Sequence, residues 1–94
     1  MKLSYTHRAK DDIEIAVLWY EKKRDGLGLE FFERIKECEK LIELNPRAYQ
    51  KSYSVFRRCV LKRFPFSIFY TIENNDNIIV HSVFDNRQNP IKRP

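Results

Sequence analysis

The side chains with chemistry to offer are gathered in the second half of the chain. Residues 45–94 carry nine Lys or Arg, among them Arg57, Arg58, Lys62, Arg63 and Arg87, against Glu73, Asp76 and Asp85, a net +6. Residues 1–44 carry nine against ten, a net −1. Charge segregated in this way points to a polyanion or an acidic protein segment as partner, with bare solubility the plainer alternative. One imidazole lies among these cations, His81. On a strand alternating Ile79, His81 and Val83 it either faces a groove or serves as a structural histidine with one hydrogen bond. Asp85 can orient Arg87, act as a base, or stand solvated at a strand end. Arg57 and Arg58 fall on opposite strand faces, so at most one lines any groove, and the other pairs with a helix glutamate or meets a partner. Cys38 and Cys59 fit neither a metal-ligand spacing nor a CxxC redox motif. They read as small buried hydrophobes in a reducing compartment.

Three strand-like runs must position these groups, at 55–61, 66–73 and 77–84, each rich in β-branched and aromatic residues. Their period of two, with cations at the ends, predicts a half-buried antiparallel sheet with a basic rim. Glu73-Asn74-Asn75-Asp76-Asn77 supplies a hairpin connector, because Asn and Asp tolerate left-handed backbone. Pro65 has no amide hydrogen to donate and belongs at a turn or strand start.

The first half predicts what backs that sheet. Residues 2–5 make a short first strand, and Thr6 can cap the helix that follows. Asp11, Asp12 and Glu14 suit the positive pole of that helix. Ala9, Ile13, Ala16, Val17 and Tyr20 share one helical face, while Ile15, Leu18 and Trp19 widen it enough to leave a flank for a partner. Arg24-Asp25-Gly26-Leu27-Gly28 breaks the chain. A second helix over 29–44 turns Phe31, Ile35, Cys38 and Ile42 inward, with Phe32 and Leu41 beside them. Pairs Glu33–Lys36 and Glu37–Lys40 support its surface, and Asn45-Pro46 stops it. Residues 47–54 read as a polar loop, and the tail after Phe84 is too poor in apolar residues to pack a further element. The order is β-α-α-β-β-β, an α+β fold in which a helical hairpin packs on a small antiparallel sheet. A chain of 94 residues, 43% apolar, is expected to form a single domain over 1–94. It has no apolar run near the roughly 20 residues a bilayer requires and no signal-peptide core, so a cytoplasmic protein is expected.

The residues also carry a family likeness. Ala9 and Asp12 open the first helix and Trp19-Tyr20 lie near its end. Gly26-Leu27-Gly28 with Phe31-Phe32 follow, then Asn45-Pro46, Arg57-Arg58 and Arg63-Phe64-Pro65-Phe66-Ser67-Ile68-Phe69-Tyr70. Val83-Phe84, Arg87 and Pro90 complete the series. Together they resemble the RelE/ParE superfamily, the toxins of bacterial type II toxin–antitoxin pairs, often agents of plasmid stabilisation. The resemblance implies one of two activities: ribosome-dependent cleavage of mRNA, or inhibition of DNA gyrase. It implies neutralisation by an antitoxin partner that wraps the toxin, and it implies no cofactor, metal, membrane or small-molecule substrate.

Metal-free RNA cleavage requires a base for a 2′-hydroxyl, an acid for the leaving oxygen, and cations for the scissile phosphate. By the resemblance Arg87 matches a terminal arginine, and Lys62 and Arg63 match a cationic strand end. The sequence departs from the mRNA-cutting branch twice. Ser67 stands where an arginine is expected, and no tyrosine or histidine follows Phe84, which leaves His81 as the candidate acid. The candidate site is therefore Lys62, Arg63, His81 and Arg87, with growth inhibition as the outcome. The alternative is a non-toxic or decayed relative, a small basic protein- or RNA-binding module without catalysis.

Overall fold

The computed structural model describes residues 2–88; the end of the basic tail, with Pro90, Lys92 and Arg93, lies outside the described residues. The elements run β1 (Leu3–Tyr5), α1 (His7–Lys23), α2 (Leu27–Leu44), β2 (Lys51–Tyr53), β3 (Phe56–Val60), β4 (Phe66–Glu73) and β5 (Asn77–Asp85). The strands lie in the order β1-β5-β4-β3-β2, so the helical hairpin connects an outer strand to the far side of the sheet. Every pairing is antiparallel except β1 on β5, which is parallel. The sheet is thus mixed: β2 enters it running opposite to β1, and three reversals through β3 and β4 bring β5 back parallel to β1.

Thr6 caps α1 as its sequence predicts, its Oγ1 accepting from Ala9 N at 3.1 Å and relieving one of the unpaired first-turn amides. The acidic residues do not occupy the first turn; Asp12 is committed elsewhere, as described below. The α1–α2 turn is tighter than the glycines alone suggest. Gly26 takes a left-handed φ of 89°, and α2 starts at Leu27, two residues before the predicted position, with Gly28 inside the helix. A Cβ on Gly28 would lie 2.7 Å from the Val17 carbonyl oxygen, so the two helix backbones approach as closely as they do only because no side chain intervenes. The Glu21 carboxylate accepts from the Gly26 and Gly28 amides at 3.0 Å, which satisfies the start of α2 and pulls the Glu21 pKa below its ordinary value.

The hairpin buries Ala9, Ala16, Tyr20, Phe31, Ile35, Cys38 and Ile42 against Ile68, Tyr70, Ile78, Val80 and Val83 of the sheet. At one end Tyr20, Phe31, Phe64 and Phe66 form an aromatic cluster, with Phe31 centroids 5.2 and 5.0 Å from Phe64 and Phe66 and Tyr20 4.9 Å from Phe64. Edge-to-face contacts of this kind add about 0.5–1.5 kcal/mol each beyond burial. In Trp19-Tyr20 and Phe31-Phe32 one ring enters this cluster and its neighbour stays on the surface, Trp19 beneath Lys23 Nζ and Phe32 beneath Lys36 Nζ. The α2 surface pairs are Arg34–Glu37 and Lys36–Glu39 instead of the Glu-first pairs expected.

The sheet departs from a half-buried layer. Ser67, Phe69, Thr71, Ser82 and Phe84, on the face away from the helices, are all buried, covered in part by Phe56 and by ring-to-ring packing of Phe69 on Phe84. The 47–54 loop contains a strand, β2, that its polar, fully exposed sequence does not announce. Arg57 holds that loop by donating to the carbonyls of Arg47 and Tyr49 at 3.3 and 2.6 Å, and so pairs with backbone, not with a helix glutamate. Tyr70 donates to the Pro46 carbonyl at 2.6 Å. The β4–β5 connector takes the left-handed backbone its composition predicts, at Asn75 and Asp76.

Gly28→Ala is expected to lower stability by about 1–3 kcal/mol, the usual cost of overpacking, measured by urea unfolding. Because Glu21 titrates low in the fold, its contribution is fully present above its ordinary pKa of 4.5 and is lost as pH falls through the folded value. Glu21→Gln is therefore expected to flatten that part of the acid limb in a stability-against-pH series.

Candidate functional site

Strand β1 covers β5 only along Ile78–Val80, so the outer edge of β5 beyond Val80 has backbone groups without a strand to meet them. α1 supplies the partners. Thr6 Oγ1 donates to the His81 carbonyl at 3.1 Å, and Val83 N donates to Asp12 Oδ2 at 3.0 Å. Partial burial raises the Asp12 pKa, opposed by the Val83 amide and the Arg8 charge. These bonds set α1 across the last third of β5 and open a cleft of about 520 Å³ between them, lined by Arg8, Asp12, Ile15, Trp19, Phe84 and Arg87. Arg8 and Trp19 enter the cleft only through the crossing of α1 over β5, and nothing in their local sequence marks them for it.

Arg87 reaches the cleft gripped by Asp85. Its Nε and Nη2 donate to Oδ1 and Oδ2 at 3.0 and 2.8 Å, and its backbone amide donates to Oδ1 at 2.9 Å. The guanidinium holds the Asp85 carboxyl below its ordinary value. Asp85 thus orients Arg87, the first of its three readings.

Lys62 and Arg63 form the β3–β4 turn. Both are exposed, with no hydrogen bond or ion pair among the described residues, and Arg63 takes a left-handed φ of 70°, a conformation an arginine adopts at some cost. Asn86 N donates to the Pro65 carbonyl at 2.7 Å, tying that turn to the exit of β5. Lys62, Arg63 and Arg87 therefore emerge at one end of the sheet, although Lys62 and Arg63 do not line the cleft.

His81 is elsewhere. Residues 69–70 of β4 and 80–82 of β5 meet with a register shift, and His81 lies on the face away from the helices, edge-on to Phe56. Thr71 Oγ1 donates to Glu73 Oε2 at 2.7 Å and lies 2.8 Å from His81 Nε2. The hydroxyl proton being engaged, Nε2 of His81 is the donor. Burial lowers its pKa, with Glu73 opposing. On the same face Arg58 Nε donates to Ser67 Oγ at 2.8 Å, which donates to Asn86 Oδ1 at 2.7 Å. The structure accordingly gathers three of the four candidate residues at one end and places His81 on the far face, hydrogen-bonded to Thr71.

The same arrangement has relatives. The family model described as the ParE toxin of the type II toxin-antitoxin system, parDE, matches residues 3–90. The chain belongs to that family. A solved structure described as the chromosomal ParDE TA system from P. aeruginosa superposes on this ParE-family fold with a TM-score of 0.76 at 20% identity, over 90% of this chain and 95% of that one. No curated protein matches the chain. The likeness to that structure is one of fold, and it agrees with the α+β order of helices and strands. Among the described residues no helix of this ParE-family chain is long and apolar enough to cross a membrane.

Asp12→Ala strands the Val83 amide and is expected to cost about 1–3 kcal/mol, whereas Asp12→Asn keeps an acceptor and most of the stability. Chemical denaturation of both variants checks this. Because the Asp12 pKa is raised, its ionisation opposes folding, and that part of its stability falls as pH rises through the folded value.

Proposed function

We propose that this chain is the toxin of a type II pair, that it inhibits DNA gyrase without cutting nucleic acid, and that a cognate antitoxin neutralises it in the cytoplasm. The observation that carries this reading is the separation of the candidate acid from the candidate cations. His81 is hydrogen-bonded to Thr71 on the far face, while Lys62, Arg63 and Arg87 share the sheet end. Binding an anionic or acidic surface needs only those cations, whereas phosphodiester cleavage also needs a proton donor and acceptor within reach of the phosphate. The neutralising partner has apolar surface to cover. Ile15, Leu18, Trp19, Leu29, Phe32 and Leu41 are exposed along the hairpin, and a groove of about 380 Å³ runs between its helices past Tyr5, Ile13, Val17 and Phe32. Contiguous apolar surface of this sort marks a protein-binding face.

Purified chain is expected to block gyrase supercoiling and to stabilise cleaved DNA, and its induction alone to arrest bacterial growth with mRNA intact. Codon-phased mRNA cuts within minutes of induction would replace this reading with the endoribonuclease one. Arg63→Ala combined with Arg87→Ala is expected to restore growth and to raise the inhibitory concentration at least about tenfold, since a charge-assisted contact contributes about 1.5–3 kcal/mol. Arg63→Gly, which relaxes the left-handed residue, separates lost charge from lost fold. Unchanged arrest in the double mutant would remove both arginines from the mechanism.

A further inference from the structure

Cys38 of α2 and Cys59 of β3 are both buried free thiols, with their sulfurs 3.2 Å apart. A disulfide needs about 2.05 Å, so the two sulfurs must close by roughly 1 Å, a movement made by side-chain rotation on two directly packed elements. The surroundings distinguish the pair from two inert core cysteines. Cys59 Sγ donates to Cys38 Sγ, and the Cys38 thiol donates to the Val60 carbonyl at 3.6 Å; the contacts with Cys38 and the Tyr49 hydroxyl lower the Cys59 pKa against the opposing effect of burial. Tyr49 is pushed up to about 12, so it stays a donor at neutral pH. The contact with Cys59 and burial push the Cys38 thiol up, so Cys59 is the member of the pair that forms the thiolate and Cys38 the one that stays a thiol. Both cysteines are buried, and Tyr49 beside them is half-buried.

We propose that Cys38 and Cys59 are a site of reversible thiol oxidation, converted by peroxide into an intramolecular disulfide that staples α2 to β3. The Cys59 thiolate attacks the peroxide O–O bond, giving a sulfenic acid and releasing hydroxide, which takes up a proton as water. Cys38 sulfur then attacks the sulfenic sulfur, the S–S bond forms, and the hydroxyl departs with the Cys38 proton as a second water. Two thiols and one hydrogen peroxide thus yield one disulfide and two waters, and a dithiol reverses the change. The staple closes the segment 38–59, which contains the Asn45-Pro46 corner and β2, and anchors β3 just before the exposed Lys62-Arg63 turn. A bond that closes a loop of this length stabilises chiefly by restricting the unfolded chain.

The test uses the reduced full-length chain exposed to hydrogen peroxide. Intact mass is expected to fall by two hydrogens, with a linked peptide pair carrying Cys38 and Cys59. The Tm should rise on the order of 10 °C, and dithiothreitol should reverse both changes. Cys38→Ala should leave Cys59 as a sulfenic acid trapped by dimedone, while Cys59→Ala leaves Cys38 unreacted. Tyr49→Phe should slow the reaction several-fold. Two free thiols after peroxide treatment, counted in denaturant, would overturn the proposal, as would oxidation to sulfinic acid or to intermolecular dimers in place of the internal bond. The wild-type mass decides the matter even if a variant fails to fold.

Discussion

The unpaired outer edge of β5 is the constraint from which the site follows. A strand edge buried under a helix must find partners for its amides and carbonyls or lose the cost of desolvating them. β1 is three residues long and serves only the first part of that edge. Thr6 and Asp12 serve the rest from α1, and in doing so fix both the entry and the crossing position of the helix. The cleft with Arg8, Trp19 and Arg87 is the space left where the crossing helix and the departing strand diverge. Asp12 therefore acts in the sheet, not at the helix pole its position suggests.

Two close approaches keep the other end of α1 in place. Gly28 lets the helix backbones meet, and the Glu21 carboxylate bridges the turn they share. That contact lays Phe31 against Tyr20 at 5.4 Å, where both meet Phe64 and Phe66 from the β3–β4 turn. The residue types through which the chain resembles its family, paired glycines, paired aromatics and the Phe-Pro-Phe run, are thus largely parts of one packing unit. They specify how a hairpin sits on a sheet, which is a matter of fold and not of target.

The cationic half of the chain is less uniform than its charge suggests. Arg57 holds a loop, Arg47 pairs with Asp76, Arg58 bonds Ser67, and Arg87 is held by Asp85. Side chains already hydrogen-bonded are ordered, and an ordered guanidinium presents its remaining donors at small entropic cost. Lys62 and Arg63 carry their charge freely into solvent on a turn. The end of the sheet where Arg87 and this turn emerge is accordingly the part of the surface best placed to meet an anionic or acidic partner, and it lies above the only two cysteines of the chain.

The sequence by itself determined the elements whose signals are local. Thr6 as cap, the inward face of α2, the stop at Asn45-Pro46, the left-handed connector at Asn75-Asp76 and the α+β order all depend on near neighbours, on helical or strand period, and on backbone preferences of single residues. Tertiary structure alone decided what depends on residues far apart in the chain. It set β1 parallel to β5, recruited the featureless stretch Lys51–Tyr53 as an edge strand, and buried both faces of β4. It set His81 and Val83 on opposite faces of β5 through a register shift that no periodicity records. It also brought Cys38 and Cys59 into contact across 21 positions. The reason is the same in each case: strand pairing and side-chain contact are set by which surfaces are left uncovered once the hairpin docks, and one chain position carries no mark of the surface it will meet.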